Sequence, residues 1–140
     1  ELDTTYVDHN EAVFAAAFTQ DDKQVCSVGR DRRIHIWNAK DGKKAGEIAG
    51  FEKEIFQLVV EGDLILSCSA DQHAYLHSLK ERNLIRAFPG HGDWVYDLAL
   101  DSQHRRLATG SFDGEIRIWN VEDGQLISAY KAAPGGLAAK

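Results

Sequence analysis

An all-β fold is predicted by three features of this sequence. Apolar and polar residues alternate at period two in short runs, as in Ile34-His35-Ile36-Trp37 and Ile116-Arg117-Ile118-Trp119, the pattern of strands with one face buried. β-branched and aromatic residues fill those runs. Turn-forming clusters rich in Gly, Asp, Asn and Ser interrupt them every 8 to 12 residues, and no stretch carries a helical period.

The elements follow in order. The first predicted strand, 13–18, is closed by the polar run 19–24, and 25–28 carries the chain back to the turn Gly29-Arg30-Asp31-Arg32. Strand 34–38 alternates cleanly, and Asp41-Gly42 turns it into 44–48. The same grammar gives 55–60 and 64–68 around Gly62, then 74–78 and 84–88 around the run 80–83. The last group is 95–100, 106–109, 116–120 and 125–130, with turns at 101–105, at Ser111-Phe112-Asp113-Gly114 and at Glu122-Asp123-Gly124.

Four strands recur three times. Asp31, Asp71 and Asp113 align at spacings of 40 and 42 residues, and His9, Phe51 and His91 at 42 and 40, periods that signal a repeat architecture. The two-residue difference falls in the turn between first and second strands, where the second unit has only Glu61-Gly62-Asp63. The units are bounded at 9–50, 51–90 and 91–131, preceded by 1–8, an outer strand left from an earlier unit, and followed by a flexible tail, 132–140, rich in Ala, Gly and Pro.

Each unit is a four-stranded meander with Asp before its third strand, and the first and third also have a His near the start and a Trp near the end of that strand. The runs His91-Gly92-Asp93-Trp94, Thr109 to Asn120 and Asp123-Gly124 carry this most fully. The chain resembles the WD (Trp-Asp) repeat β-propeller family over most of its length. Two units end the third strand in Trp-Asn instead, a mild departure because Asn is also a turn former.

The resemblance implies a buried network joining His, Ser or Thr, Asp and Trp: His9, Ser27, Asp31 and Trp37 in the first unit, and His91, Thr109, Asp113 and Trp119 in the third. The second keeps Ser67 and Asp71 but has Phe51 for the His and His77 for the Trp. Its network is expected to be incomplete, and Ser67→Ala to be tolerated better than Ser27→Ala. Propellers close with about 4 to 8 blades, so three imply either a piece of a longer ring or copies that assemble into one. The absence of Met is what a processed or excised piece, or a designed sequence, is expected to show.

Composition narrows the function. With 44% apolar residues the chain is expected to build a real core, and a formal charge of −6 offers no diffuse attraction for phosphates, so nucleic-acid binding is not expected. No apolar run nears the roughly 20 residues of a membrane span, and the start lacks the order of a signal peptide. Cys26 and Cys68 lie in apolar runs, as buried thiols of a reducing, cytoplasmic compartment would.

Catalytic and metal readings are weaker than structural ones. The recurring Ser or Thr, His and Asp invite comparison with a hydrolase triad, but the hydroxyl lies in an apolar strand and no Gly-x-Ser-x-Gly elbow is present. Residues 111–115 lack the spaced carboxylates of a Ca²⁺ loop, and Gly114 instead suits a tight turn. His73 and His77, about 13 Å apart on one strand face, are too distant to share an ion. No enzyme activity, metal or cofactor is expected.

Interaction remains. By resemblance, residues flanking the start of the first strand, and the one before the network Asp, present on the upper face: Ala12, Phe14 and Arg30; Glu54, Phe56 and Ala70; Trp94, Tyr96 and Phe112. Aromatic and Arg side chains are those that most often anchor interfaces. The expected partner is a peptide or loop of another protein, gripped by Phe14, Phe56, Trp94, Tyr96 and Phe112 with Arg30 choosing an acidic group. The competing reading packs the rings between blades. The alternative function is a regulatory or targeting module joined to an enzyme or redox domain outside this chain.

Overall fold

The computed structural model describes residues 11–132. Twelve strands follow in order: β1 (Val13–Phe18), β2 (Gln24–Gly29), β3 (Ile34–Asn38), β4 (Lys44–Ile48), β5 (Ile55–Glu61), β6 (Leu64–Ser69), β7 (Ala74–Ser78), β8 (Leu84–Phe88), β9 (Val95–Asp101), β10 (Arg106–Ser111), β11 (Glu115–Asn120) and β12 (Leu126–Lys131). They form three antiparallel sheets, β1-β2-β3-β4, β5-β6-β7-β8 and β9-β10-β11-β12, with no α-helix among the described residues. The fold is all-β, as the sequence predicts. β1, β3, β4, β7 and β8 have their predicted bounds, and the others differ by one or two residues at an end. The predicted strand at 1–8, His9 and the tail beyond Ala132 lie outside the described residues.

One turn chemistry repeats between the second and third strands. The Asp31, Asp71 and Asp113 carboxylates accept the N–H two residues on, from Arg33, His73 and Glu115, at 3.3, 3.1 and 3.0 Å, the Asx geometry that makes Asp a turn former. The next residue takes a left-handed conformation in each: Arg32 at φ 68°, Gln72 at φ 77° and Gly114 at φ 88°. Only Gly adopts this without steric cost, so the first two turns hold side chains that the Asp must compensate. At the far end Asn120 Oδ1 accepts the N–H groups of Glu122 and Asp123 at 2.8 and 3.3 Å, which gives the Trp-Asn ending a structural role.

The sheets stack as consecutive blades through their first strands: β5 packs on β1 and β2, and β9 on β5 and β6. One core lies between the first and second blades, built by Cys26, Val28, Ile34 and Ile36 against Ile55, Leu58 and Ile65. A second lies between the second and third blades, where Leu66, Cys68, Leu76 and Phe88 meet Val95, Leu98, Leu107 and Trp119. β6 is therefore buried on both faces, whereas β12 is exposed throughout. The far face of the third blade leaves Ala99 exposed and Ala108, Ile116 and Ile118 half-buried over a shallow depression.

Candidate functional site

Two groups of side chains concern function: a buried one within each blade and an exposed one across the upper rim. In the third blade the Trp119 indole N–H donates to Thr109 Oγ1 at 2.9 Å, and the same hydroxyl lies 2.7 Å from His91 Nε2. The hydroxyl accepts from Trp119 and keeps one proton and one lone pair, so the ring tautomer sets whether it donates to Nε2 or accepts from it. Nδ1 stands 3.2 Å from Glu115 Oε1, though out of line for a hydrogen bond. Burial pushes the His91 pKa down, against the upward pull of Glu115.

This departs from the expected Asp–His link. Among the described residues, Asp113 serves its own turn and faces Lys131 Nζ at 3.6 Å, while Glu115, held by Arg117 Nε at 2.8 Å, occupies the place opposite the His. The carboxylate at the second residue after the Asp stands beside the ring, and the Asp is spent on the backbone N–H of Glu115. The signal was visible in Asp113-Gly114-Glu115, but nothing in the spacing separates the two acids.

In the first blade the Trp37 indole donates to Ser27 Oγ at 2.8 Å, and Asp31 Oδ2 lies 2.9 Å from His35 Nε2, with His35 stacked on Trp37. His35 was not singled out from sequence. In the second blade the pattern changes. Asp71 accepts from the Tyr75 hydroxyl at 2.5 Å, and Phe51 packs edge-on to Tyr75 and tilted against His77. Aromatic packing thus replaces hydrogen bonds, and Ser67 Oγ and His77 Nδ1 are buried without a hydrogen-bond partner among the described residues. His73 Nδ1 is engaged with the Asp71 carbonyl at 2.9 Å.

The rim is built by two backbone devices repeated in every blade. The first is a bulge near the start of the first strand. Val13 pairs with Gly29 and Ala15 with Val28, so Phe14 is the extra residue; Phe56 and Tyr96 are skipped in the same way in β5 and β9. An unpaired bulge residue is free to be aimed off the sheet. The second is a backbone bond that ties the turn to the strand start: Arg30 N–H to Ala12 O at 2.9 Å, Ala70 N–H to Glu54 O at 3.0 Å, and Phe112 N–H to Trp94 O at 2.9 Å.

These devices bring the six candidate residues into one contiguous row. The Arg30 guanidinium lies 5.8 Å from the Phe14 ring. Ring centroids then step from Phe14 to Phe56 by 5.6 Å, to Trp94 by 5.7 Å, to Phe112 by 5.2 Å and to Tyr96 by 5.1 Å. Trp94, Tyr96 and Phe112 are 45%, 47% and 61% exposed, whereas Trp37 and Trp119 are each 3% exposed. Phe56 also packs against the core between the second and third blades. One expectation fails: Ala70 is buried, because its methyl is too short to reach the surface that Phe112 reaches from the same position.

Comparison with known proteins places this geometry. The family described as "WD domain, G-beta repeat" matches residues 1–38 and 82–120, together more than half of the chain; the blade with the altered aromatic cluster falls mostly between the matches. Apoptotic protease-activating factor 1 of Rattus norvegicus is 31% identical over 108 residues, covering 76% of this chain and 9% of that protein. A U3 snoRNP-associated protein-like protein of Arabidopsis thaliana is 27% identical over 137 residues, covering 83% of this chain and 29% of that one. Eukaryotic translation initiation factor 3 subunit I of Saccharomyces cerevisiae is 30% identical over 91 residues, 64% of this chain and 26% of that one. The chain thus spans less than a third of each of these relatives. Among solved structures, the WD40 β-propeller domain of Doa1 superposes with TM-score 0.84 at 22% identity, over 94% of this chain and 44% of that one. The computationally designed Ika8 protein does so with TM-score 0.83 at 22% identity, over 93% and 40%.

Proposed function

Since the chain belongs to the WD40 repeat family, we propose that it is a non-catalytic interaction scaffold whose upper rim grips a peptide or loop of a partner protein. The single observation that carries this is the row of five aromatic rings ending in Arg30, most of it open to solvent. Trp, Tyr and Arg are enriched where truncation costs an interface most, because they bring large rigid contact area with a polar tip. The rings are mounted on bulges and pinned turns, so little conformational entropy is lost on binding. Two of the relatives are by name components of larger assemblies, an initiation-factor subunit and a snoRNP-associated protein.

The Thr109 hydroxyl is enclosed between two rings, with no room for a substrate carbonyl, which supports a structural reading of the His-Thr-Asp set. The open apolar face of the third blade supports further blades, in the same protein or from another copy, as neighbours. Partners are other proteins, with no nucleic acid or membrane involved, and the compartment is cytoplasmic.

The test is a Trp94→Ala, Phe112→Ala double variant. Once a partner is identified by photo-crosslinking from position 112, the double variant is expected to bind it about 100-fold more weakly, the effect of losing two anchors, while its melting temperature stays within a few degrees of the parent. Unchanged affinity in a folded variant rules the reading out.

A further inference from the structure

The rim also limits what form the partner segment can take. Main-chain groups where the rim's turns meet the strand starts are already engaged: the carbonyls of Ala12, Glu54 and Trp94 accept from Arg30, Ala70 and Phe112, and the Trp94 N–H donates to Asp93 Oδ1 at 2.7 Å. Farther along, the Asp113 carbonyl accepts from Lys131 Nζ at 3.2 Å and the Asp71 carbonyl engages His73. A segment adding itself as a strand needs a row of free N–H and C=O groups, and these residues do not supply one. What the rim does offer is ring faces. Successive rings are tilted by 38°, 39°, 41° and 86°, so they present a continuous row of faces and edges instead of one flat surface.

We propose that the occupant is a proline-rich segment in the polyproline II conformation, carrying a carboxylate at the end that meets Arg30. The inference rests on the reading of the rim as the partner site and narrows it. Polyproline II has no internal hydrogen bonds and keeps its backbone solvated, so it asks nothing of the rim's main chain, and its rigid pyrrolidine rings can stack on exposed aromatic faces at low entropic cost. Arg30 supplies direction. Its guanidinium sits at the Phe14 end of the row and has no carboxylate partner among the described residues, so an acidic residue fixes which way the segment runs.

Trp94 is a ready reporter, because the other two Trp residues are buried. The 140-residue chain is titrated with a peptide of seven prolines ending in two glutamates, and with three relatives: one with prolines replaced by alanine, one with alternating valine and threonine, and one ending in two lysines. The proline peptide with the acidic end is expected to shift Trp94 emission and to bind at least tenfold more tightly than the other three. Arg30→Glu is expected to reverse the preference between acidic and basic ends, and the Trp94→Ala, Phe112→Ala variant, which lacks the reporter and is followed by the fluorescence anisotropy of a dye-labelled proline peptide, to lose binding. Equal binding of the alanine or valine-threonine peptide, or no response to the proline peptide, overturns the proposal. Competition separates it from the broader reading. If an identified partner needs Trp94 and Phe112 but is not displaced by the proline peptide, the rim is the site and its occupant is not polyproline. If the partner ignores both residues, both readings fall.

Discussion

Thr109→Val is expected to cost the chain about 2 to 4 kcal/mol of unfolding free energy, while Ser67→Ala, at the matching position one blade earlier, costs less than about 1. The contrast follows from what each hydroxyl touches. Thr109 Oγ1 lies 2.9 Å from Trp119 Nε1 and 2.7 Å from His91 Nε2. Valine keeps the shape but strands two buried nitrogens, each at a penalty of about 1 to 3 kcal/mol. Ser67 Oγ has no hydrogen-bond partner among the described residues and is wholly buried. Deleting it removes a desolvated group together with a little packing, and the two nearly cancel. Ser27→Ala, which removes the acceptor for Trp37, is likewise expected to cost more than Ser67→Ala. Urea unfolding with unchanged slope measures all three, and similar losses for Ser67→Ala and Thr109→Val would contradict this account.

Acid is expected to loosen the second blade. Burial pushes the His77 pKa down to about 4 from an ordinary 6.5. In the unfolded chain the ring takes up a proton below its ordinary value, whereas in the folded chain it resists until near 4. The stability His77 confers is therefore complete above pH 6.5 and is lost as pH falls from 6.5 towards 4, about 3 kcal/mol in all. His77→Phe keeps a ring against Phe51 and Tyr75 but cannot titrate, so its stability is expected to fall less steeply across that window. His91, lowered in the same direction, is present in both chains and drops out of the difference. Asp101, held at about 2 chiefly by Arg106, loses its contribution only below the ordinary carboxylate range and lies outside the window. Parallel curves for parent and variant would remove His77 from the explanation.

Much of this was readable in advance. Period-two alternation located the strands, because a half-buried sheet imposes it, and the Asp-to-Asp spacing exposed the repeat and its short hairpin at Gly62. The rim residues were reachable through the repeat alignment. Three things were not readable. The bulges at Phe14, Phe56 and Tyr96 depend on strand register, which alternation alone does not fix when the inserted residue is itself apolar. Arg32 and Gln72 hold a conformation normally signalled by Gly, because the Asp side chain before them closes the turn. The choice of Glu115 over Asp113 opposite His91 is a matter of reach, and two acids separated by one glycine look alike in sequence.

Cys26 and Cys68 are free, fully buried thiols, and burial pushes both pKa values up, Cys26 to about 11. Cys26 lies in the seam between the first and second blades and Cys68 in the seam between the second and third. Neither meets an alkylating reagent as a thiolate until its seam parts. The chain therefore carries one chemical clock per seam. If blades separate one at a time, the two cysteines are modified at different rates, and if the arc opens as a unit, they are modified together.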